Sequence, residues 1–68
     1  MQLTEKFKLV LANEEAKAVV AKYVPGFFDD PRVKMASVLS IQSVVDRVPP
    51  ENLSAENREA LLKELEAL

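Results

Sequence analysis

The sequence predicts an all-α fold, a compact bundle of four to five short helices. Residues that favour helix N-caps precede the apolar segments, and prolines or the single glycine follow most of them, which is how helices commonly begin and end. Within the segments, apolar residues recur at the three- and four-residue spacing of an amphipathic helix. These local signals agree with one another along the chain. Such agreement favours a single folded domain that spans all 68 residues.

The first predicted helix spans residues 5–12, with Thr4 as its cap. A strand is the competing interpretation, because Phe7, Leu9 and Leu11 alternate with neighbours that include two lysines. A lone strand has nothing in this chain to pair with, and isolated strand pairs are at best marginally stable in water. Helix is therefore the preferred assignment.

The second predicted helix spans residues 14–24 and has the clearest pattern in the chain. Asn13 is a good N-cap, because its side-chain oxygen can accept a hydrogen bond from a free backbone N–H of the first turn. Two glutamates follow at the positive end of the helix dipole. Pro25-Gly26 ends the helix. The apolar stripe of this helix comprises Ala16, Val19, Val20 and Tyr23.

Two shorter helices are predicted next. Asp30 is a suitable cap and Pro31 a favoured first residue for a helix that ends near Val38. Ser40 caps a fourth helix over residues 41–47, which buries several branched apolar side chains. The two consecutive prolines that follow end this helix.

The last predicted helix spans residues 55–67 and is capped by Ser54. Pro49 and Pro50 before it form either a stiff linker or a tight corner, and the corner is favoured because the apolar face of the last helix needs a partner. That face is a leucine stripe with two interpretations: it closes the domain's own core, or it pairs with another chain. The stripe comprises Leu61, Leu62, Leu65 and Leu68.

Composition excludes several classes of function. Apolar residues make up 49% of the chain and charged residues 29%, with a net charge of −2 and mixed signs. This is a globular composition without the basic stripe of a nucleic-acid-binding protein. The absence of cysteine and histidine excludes disulfides, zinc fingers, iron–sulfur ligation and histidine-based acid–base catalysis. We expect neither a cofactor nor a metal.

The expected location of the chain follows from its apolar runs and its N-terminus. Its apolar runs are a few residues long, so no membrane span is expected. The N-terminus lacks the apolar core of a signal peptide. The chain as it stands is expected to be cytoplasmic, although a module from the C-terminus of a larger protein would not carry its parent's signal.

No catalytic residue is predicted. A chain of this size buries only about 60% of the surface that it exposes when unfolded, so it has little room for a cleft beside its core. Asp29-Asp30 is interpreted as helix capping rather than as a calcium or catalytic pair, because further oxygen ligands at loop spacing are missing. Glu14-Glu15 is typical of a helix start, and the serines lack a histidine base.

The candidate interaction residues are aromatic and apolar. Two consecutive phenylalanines in a loop are rarely both buried, so one of them is expected to be partly exposed and available for contact. The competing and more strongly weighted interpretation is that these rings fill the core beneath the next helix. The candidate residues comprise Tyr23, Phe27, Phe28, Leu61 and Leu65.

The segment 11–26 reads L-A-N-E-E-A-K-A-V-V-A-K-Y-V-P-G and is followed by Pro31, Met35-Ala36 and Ser40-Ile41. It resembles a short helical module, of unknown function, at the C-termini of bacterial glycoside hydrolases and related carbohydrate-active enzymes. That module has the pattern N-P-E-A-K-A-V-L-E-K-Y-x-P-G and then M-A-x-x-M-S-L.

The resemblance covers roughly residues 3–45, with Glu14 where the module prefers Pro and Val38 where it prefers Met or Gly. It implies an accessory role beside a catalytic domain. We therefore expect a non-catalytic interaction module that docks to a sister domain or associates with a second copy. A carbohydrate-binding accessory module is the alternative, although sugars usually stack on flat rings and the chain has no Trp and one Tyr.

Overall fold

The chain forms five α-helices, and a computed structural model describes all of residues 1–68. No β-strand is present, and one isolated antiparallel bridge joins Lys6 to Ser40. The prediction of a small all-α bundle is confirmed. The elements are α1 (Lys8–Leu11), α2 (Glu14–Tyr23), a 3₁₀ turn (Phe27–Asp29), α3 (Arg32–Ala36), α4 (Ile41–Arg47) and α5 (Ala55–Glu66).

Three of the predicted caps are present, and the helices that they begin match the prediction closely. Asn13 Oδ1 accepts hydrogen bonds from the backbone N–H groups of Glu15 and Ala16, at 2.9 and 3.1 Å. Ser40 Oγ and Ser54 Oγ each accept one at 3.2 Å from the backbone three residues on. These side chains satisfy donors that have no partner inside the helix, so α2, α4 and α5 begin where the sequence indicates.

The first helix is shorter than predicted, because the residues before it pair with a distant segment. The N–H of Phe7 donates to the carbonyl of Leu39 at 2.8 Å, and the N–H of Ile41 donates to the carbonyl of Glu5 at 2.9 Å. Helix α1 therefore begins only after Phe7, and Thr4 caps nothing. The predicted Thr4-capped helix is wrong in its first half, since residues 3–5 form a turn and Lys6 forms an isolated bridge with Ser40.

Helix α3 begins one residue later than predicted and ends at Ala36 rather than near Val38. Asp30 is extended, with φ −79° and ψ 123°, and its Oδ1 accepts a hydrogen bond from the N–H of Arg32 at 2.9 Å. Asp30 therefore satisfies a donor at the start of α3, as predicted, although Pro31 and not Asp30 is the residue that flanks the helix.

The core is wholly apolar and draws on every helix. Helix α2 packs against α1 and α5, and α4 packs against α5. Of the predicted leucine stripe, Leu61 and Leu65 are fully buried and close the chain's own core, whereas Leu68 is 42% exposed. None of the helices combines the length and the hydropathy needed to cross a bilayer. The largest fully buried side chains are Phe7, Val10, Ile41, Val45, Leu53, Leu61 and Leu65.

Pro49 and Pro50 form the tight corner that the sequence analysis favours over a linker. The carbonyl of Pro49 accepts hydrogen bonds from the N–H groups of Asn52 and Leu53, at 2.9 and 3.0 Å. Leu53 is 1% exposed, so the corner itself contributes to the core. The chain thereby folds back and lays α5 against α4.

Arg58 of α5 binds backbone carbonyls on both sides of this corner. Its guanidinium donates to the carbonyls of Val45 and Val48 at the end of α4 and to the carbonyl of Leu53. The end of a helix carries partial negative charge and unpaired carbonyls, and the five donors of a guanidinium can bind several of them at once. One side chain therefore ties α4, the corner and α5 together.

Candidate interaction surface

A groove of about 830 Å³ lies beside α3 and α4. Its apolar lining includes buried valines from three different elements. The walls come from the turn at Pro25–Phe27, from α3 and the residues after it, and from the corner at Pro49–Asn52. We call it the α3–α4 groove. Its buried valines are Val24, Val33, Val44 and Val48.

The turn at Pro25–Phe27 depends on Gly26. This residue has φ 79°, and no other residue of the chain has a positive φ. Left-handed backbone of this kind is strained for residues with a Cβ atom. The turn holds Phe27 edge-on to the buried ring of Phe7, with 5.8 Å between the ring centroids. Phe27 is therefore half-buried, with one part in the core and one part on the groove.

Two apolar side chains of the α3 region stand exposed next to the groove. Met35 lines it and is 78% exposed, and Val38, just before the groove residue Leu39, is 67% exposed. A single exposed apolar residue is ordinary. Here one exposed apolar residue lines the groove and another precedes a groove residue in the sequence, and exposed apolar surface of this kind marks interaction sites. We call Met35 and Val38 the α3 patch.

One ion pair lies on the groove. Arg32 Nη2 is 2.8 Å from Asp30 Oδ2, and its Nε is 3.1 and 3.2 Å from the two carboxylate oxygens. The hydrogen bonds from Arg32 lower the pKa of Asp30 below its ordinary value. At neutral pH the carboxylate is ionised and the pair adds no net charge to the groove.

Phe28 faces a second, smaller depression of about 420 Å³. Its ring is perpendicular to that of Phe27, with an interplanar angle of 89°. The Nζ atom of Lys17 lies 5.8 Å from the centre of the Phe28 ring, within the range of a cation–π contact. The two phenylalanines therefore do not form one flat platform.

Tyr23 lies on the surface between α2 and α5, with Lys22 and Glu64. Lys22 Nζ is 3.3 Å from a carboxylate oxygen of Glu64 and 5.1 Å from the centre of the Tyr23 ring. Interaction with the Glu64 carboxylate raises the pKa of Tyr23, and interaction with Tyr23 lowers the pKa of Glu64. This cluster joins two helices and does not border the α3–α4 groove.

The structure separates the five candidate residues that the sequence suggested. Phe27 is on the groove, Phe28 is in the smaller depression, and Tyr23 is in the cluster with Glu64. Leu61 and Leu65 are 1% and 0% exposed and cannot contribute to a surface. Their place in the interaction surface is corrected to the core, because the folded-back α5 needs its apolar face for its own neighbours.

Sequence reasoning missed the α3 patch. It placed Val38 at the end of a longer helix and did not include Met35 among the candidate interaction residues. A usable signal was present: Val33, Met35 and Ala36 lie so close together on a short helix that they cannot all face the same side. Val33 is buried and Met35 is exposed, so the two point to opposite sides of α3.

The serines that were weighed for nucleophilic chemistry make local hydrogen bonds. The hydroxyl of Ser37 donates to the backbone carbonyl of Lys34 at 2.9 Å, and not to the amine of that residue. Ser40 Oγ and Ser43 Oγ are 2.9 Å apart at the start of α4. Each of these hydroxyls is thus engaged at a helix end.

Comparisons of the chain with protein-family models, curated proteins and solved structures give no match.

Proposed function

We propose that this chain is a non-catalytic interaction module that docks another protein surface through the α3–α4 groove and the α3 patch. The observation that carries the proposal is a groove whose lining includes Met35, which is 78% exposed, with Val38, which is 67% exposed, one residue before the groove residue Leu39. Protein interfaces commonly seat apolar anchor side chains of one partner in a pocket of the other. A groove of about 830 Å³ has room for such anchors.

The proposed partner is a sister domain of the same polypeptide. The resemblance of residues 3–45 to a C-terminal module of bacterial carbohydrate-active enzymes supports this choice. The α3 patch is only two residues wide, whereas stable association of free proteins usually buries about 1,200–2,000 Å². A covalently tethered partner acts at a high effective concentration, so a small contact is sufficient. Association with a second copy is the less favoured version.

The test uses small apolar probes and a two-dimensional amide NMR spectrum of the labelled chain. Phenol and isopropanol should shift the amides of residues 24–27 and 32–39 saturably, because a docking surface takes up apolar groups more readily than the rest of the surface does. Amides near Leu9 and Leu68, which are 38% and 42% exposed, serve as the internal comparison. Equal or stronger shifts there would show that the groove is not the docking surface.

Two variants distinguish docking to a sister domain from association with a second copy. The double variant Met35→Glu, Val38→Asp removes the patch without touching the core, and Leu68→Glu is the matched control at another exposed apolar position. If the mass from light scattering rises with concentration for the parent and for Leu68→Glu but not for the double variant, a second copy is the partner. A constant one-chain mass leaves the sister domain as the partner.

The carbohydrate-binding alternative has less support from the geometry. Phe27 and Phe28 are perpendicular, and Tyr23 is engaged with Lys22 and Glu64, so no two rings present a common flat face to a sugar. A panel of plant and host oligosaccharides in the same NMR experiment tests it directly. Saturable shifts in residues 23–28 with a glycan would make this alternative the leading function.

A further inference from the structure

We infer that residues 1–6 regulate the proposed docking surface, because they hold in place the backbone of the segment that carries Val38 and Leu39. We call residues 1–6 the strap and residues 37–40, which join α3 to α4, the connector. The inference rests on the proposed function and adds a means by which docking is strengthened or weakened.

The first three carbonyls of the connector are bound by the end of the strap and by the two residues that follow it. The middle one of these carbonyls belongs to the α3 patch, and its donor is an ammonium group. The hydrogen bonds run from the Lys8 N–H to the Ser37 carbonyl at 3.2 Å, from Lys6 Nζ to the Val38 carbonyl at 3.0 Å, and from the Phe7 N–H to the Leu39 carbonyl at 2.8 Å.

The first turn of α4 is bound to the strap as well. The N–H of Ile41 donates to the carbonyl of Glu5 at 2.9 Å, and the N–H of Gln42 donates to the carbonyl of Leu3 at 3.0 Å. N–H groups in the first turn of a helix have no partner inside the helix. The strap and the connector therefore form one paired unit, and neither can move away without breaking bonds to the other.

This paired unit has little anchorage in the core. None of residues 1–6 or 37–40 is buried, whereas Phe7 and Ile41, which directly follow the two segments, are both 0% exposed. Leu39 is only partly buried where it packs against the core. Segments with few buried apolar contacts open locally at a lower free energy than the core does. We therefore expect the strap and the connector to separate while the helices stay folded.

Separation would remove one wall of the docking surface. Leu39 lines the α3–α4 groove, and Val38 belongs to the α3 patch. Without the hydrogen bonds to its carbonyls, the connector has no fixed backbone and these two side chains have no fixed position. A partner that binds only the paired arrangement therefore favours closure of the strap. By the same linkage, anything that draws the strap away weakens docking.

The first measurement is amide hydrogen exchange of the labelled full chain, followed by NMR. The amides that join the two segments should exchange faster than those of Leu61 and Leu65, because they open without global unfolding. Phenol at about three times its dissociation constant for the groove should slow them about fourfold, by mass action on the closed arrangement. The amides of Glu15 and Asn57, at helix starts outside the groove, should not change. The joining amides are those of Phe7, Lys8, Ile41 and Gln42.

A substitution in the strap gives the matched test. Lys6→Met removes the ammonium group that binds the Val38 carbonyl, and it should speed exchange of the joining amides by about two- to tenfold, the effect of one net hydrogen bond. Lys6→Arg keeps a charged donor and should bring the rates back towards those of the parent. Lys8→Met is the control, because the Lys8 side chain is exposed and only its backbone takes part in the pairing. Equal rates in Lys6→Met and Lys8→Met would overturn the role of Lys6.

The outcomes separate this inference from the proposed function. If the joining amides exchange as slowly as those of Leu61 and Leu65, the strap opens only with the whole molecule, which overturns regulation and leaves docking standing. If phenol shifts the groove amides but leaves the exchange of the joining amides unchanged, the strap and the groove are not coupled, with the same consequence. No saturable shift at the groove overturns the proposed function and this inference with it. Fast exchange that phenol slows supports both.

Discussion

At the scale of the residue, Arg58 stands out because its side chain donates hydrogen bonds to the backbone of three other residues. It is half-buried, and its guanidinium binds carbonyls at the end of α4 and in the following corner. These carbonyls are partly shielded from water. Without the donors of Arg58 they would lose hydrogen bonds that water could not fully replace. A small domain has a stability of only a few kcal/mol, so one such side chain is a large part of it.

We expect Arg58→Ala to lower the free energy of unfolding by roughly 2 kcal/mol, since hydrogen bonds to a charged group contribute about 1.5–3 kcal/mol. Arg58→Lys should recover only part of this loss, because a lysine keeps the charge but not the planar fork. Urea unfolding followed by circular dichroism measures both. Arg47→Ala is the control and should stay within about 0.5 kcal/mol of the parent; equal losses at the two positions would contradict the role of Arg58.

At the scale of the element, a helix begins where a side chain accepts the free N–H groups of its first turn. Asn13 accepts two such bonds in α2. Thr4 has the same capping chemistry in its side chain but is exposed and makes no hydrogen bond of this kind. The two residues look alike in the sequence and differ only in whether the following residues can continue as a helix.

This difference predicts that replacing Asn13 and replacing Thr4 with alanine will change the free energy of unfolding by unequal amounts. Asn13→Ala should destabilise the chain by about 1 kcal/mol, the usual contribution of an N-cap. Thr4→Ala should change the free energy of unfolding by less than about 0.5 kcal/mol. The urea midpoints of the two variants provide the comparison. A loss at Thr4 as large as that at Asn13 would mean that Thr4 does cap a helix over residues 5–12.

At the scale of the whole molecule, surface charge links helices that are distant in the sequence. Glu64 of α5 meets Lys22 and Tyr23 of α2. The other ion pair, between Asp30 and Arg32, is local. The pKa values of Glu64 and Asp30 are lowered, so their contribution to stability is present above the ordinary carboxyl range and is lost as pH falls through the folded values. The pKa values of Tyr23 and Lys22 are raised, so theirs is lost as pH rises through the folded values.

We therefore expect a stability plateau around neutral pH with a loss on either side. Glu64→Gln should be less stable than the parent at neutral pH, and the difference should vanish in acid, where the parent's Glu64 is protonated. The variant should also lose less stability than the parent at alkaline pH, since Tyr23 no longer has the carboxylate that raises its pKa and contributes less stability that can be lost there. Urea midpoints across pH measure this. Glu59→Gln, on the same helix but without an ion-pair partner, should follow the parent; a constant difference for Glu64→Gln at every pH would refute the linkage.

Much of this protein is determined locally and is therefore visible in its sequence. Caps, prolines and Gly26 act within a few residues of where they stand, because the groups that they satisfy or restrict belong to adjacent residues. The bounds of α2, α4 and α5 follow from them within one residue, and so does the tight corner at Pro49–Asn52. The all-α class follows from the same signals.

Features that depend on residues distant in the sequence were decided only by the tertiary structure. The segment before α1 is not helical because Leu39 and its neighbours take up its backbone hydrogen bonds, and no local pattern reveals that pairing. Leu65 is buried while Met35 is exposed, although both are large and apolar, because exposure is set by which faces find neighbours. The candidate surface lies where the helices leave an apolar face uncovered, and a side chain's type does not determine that.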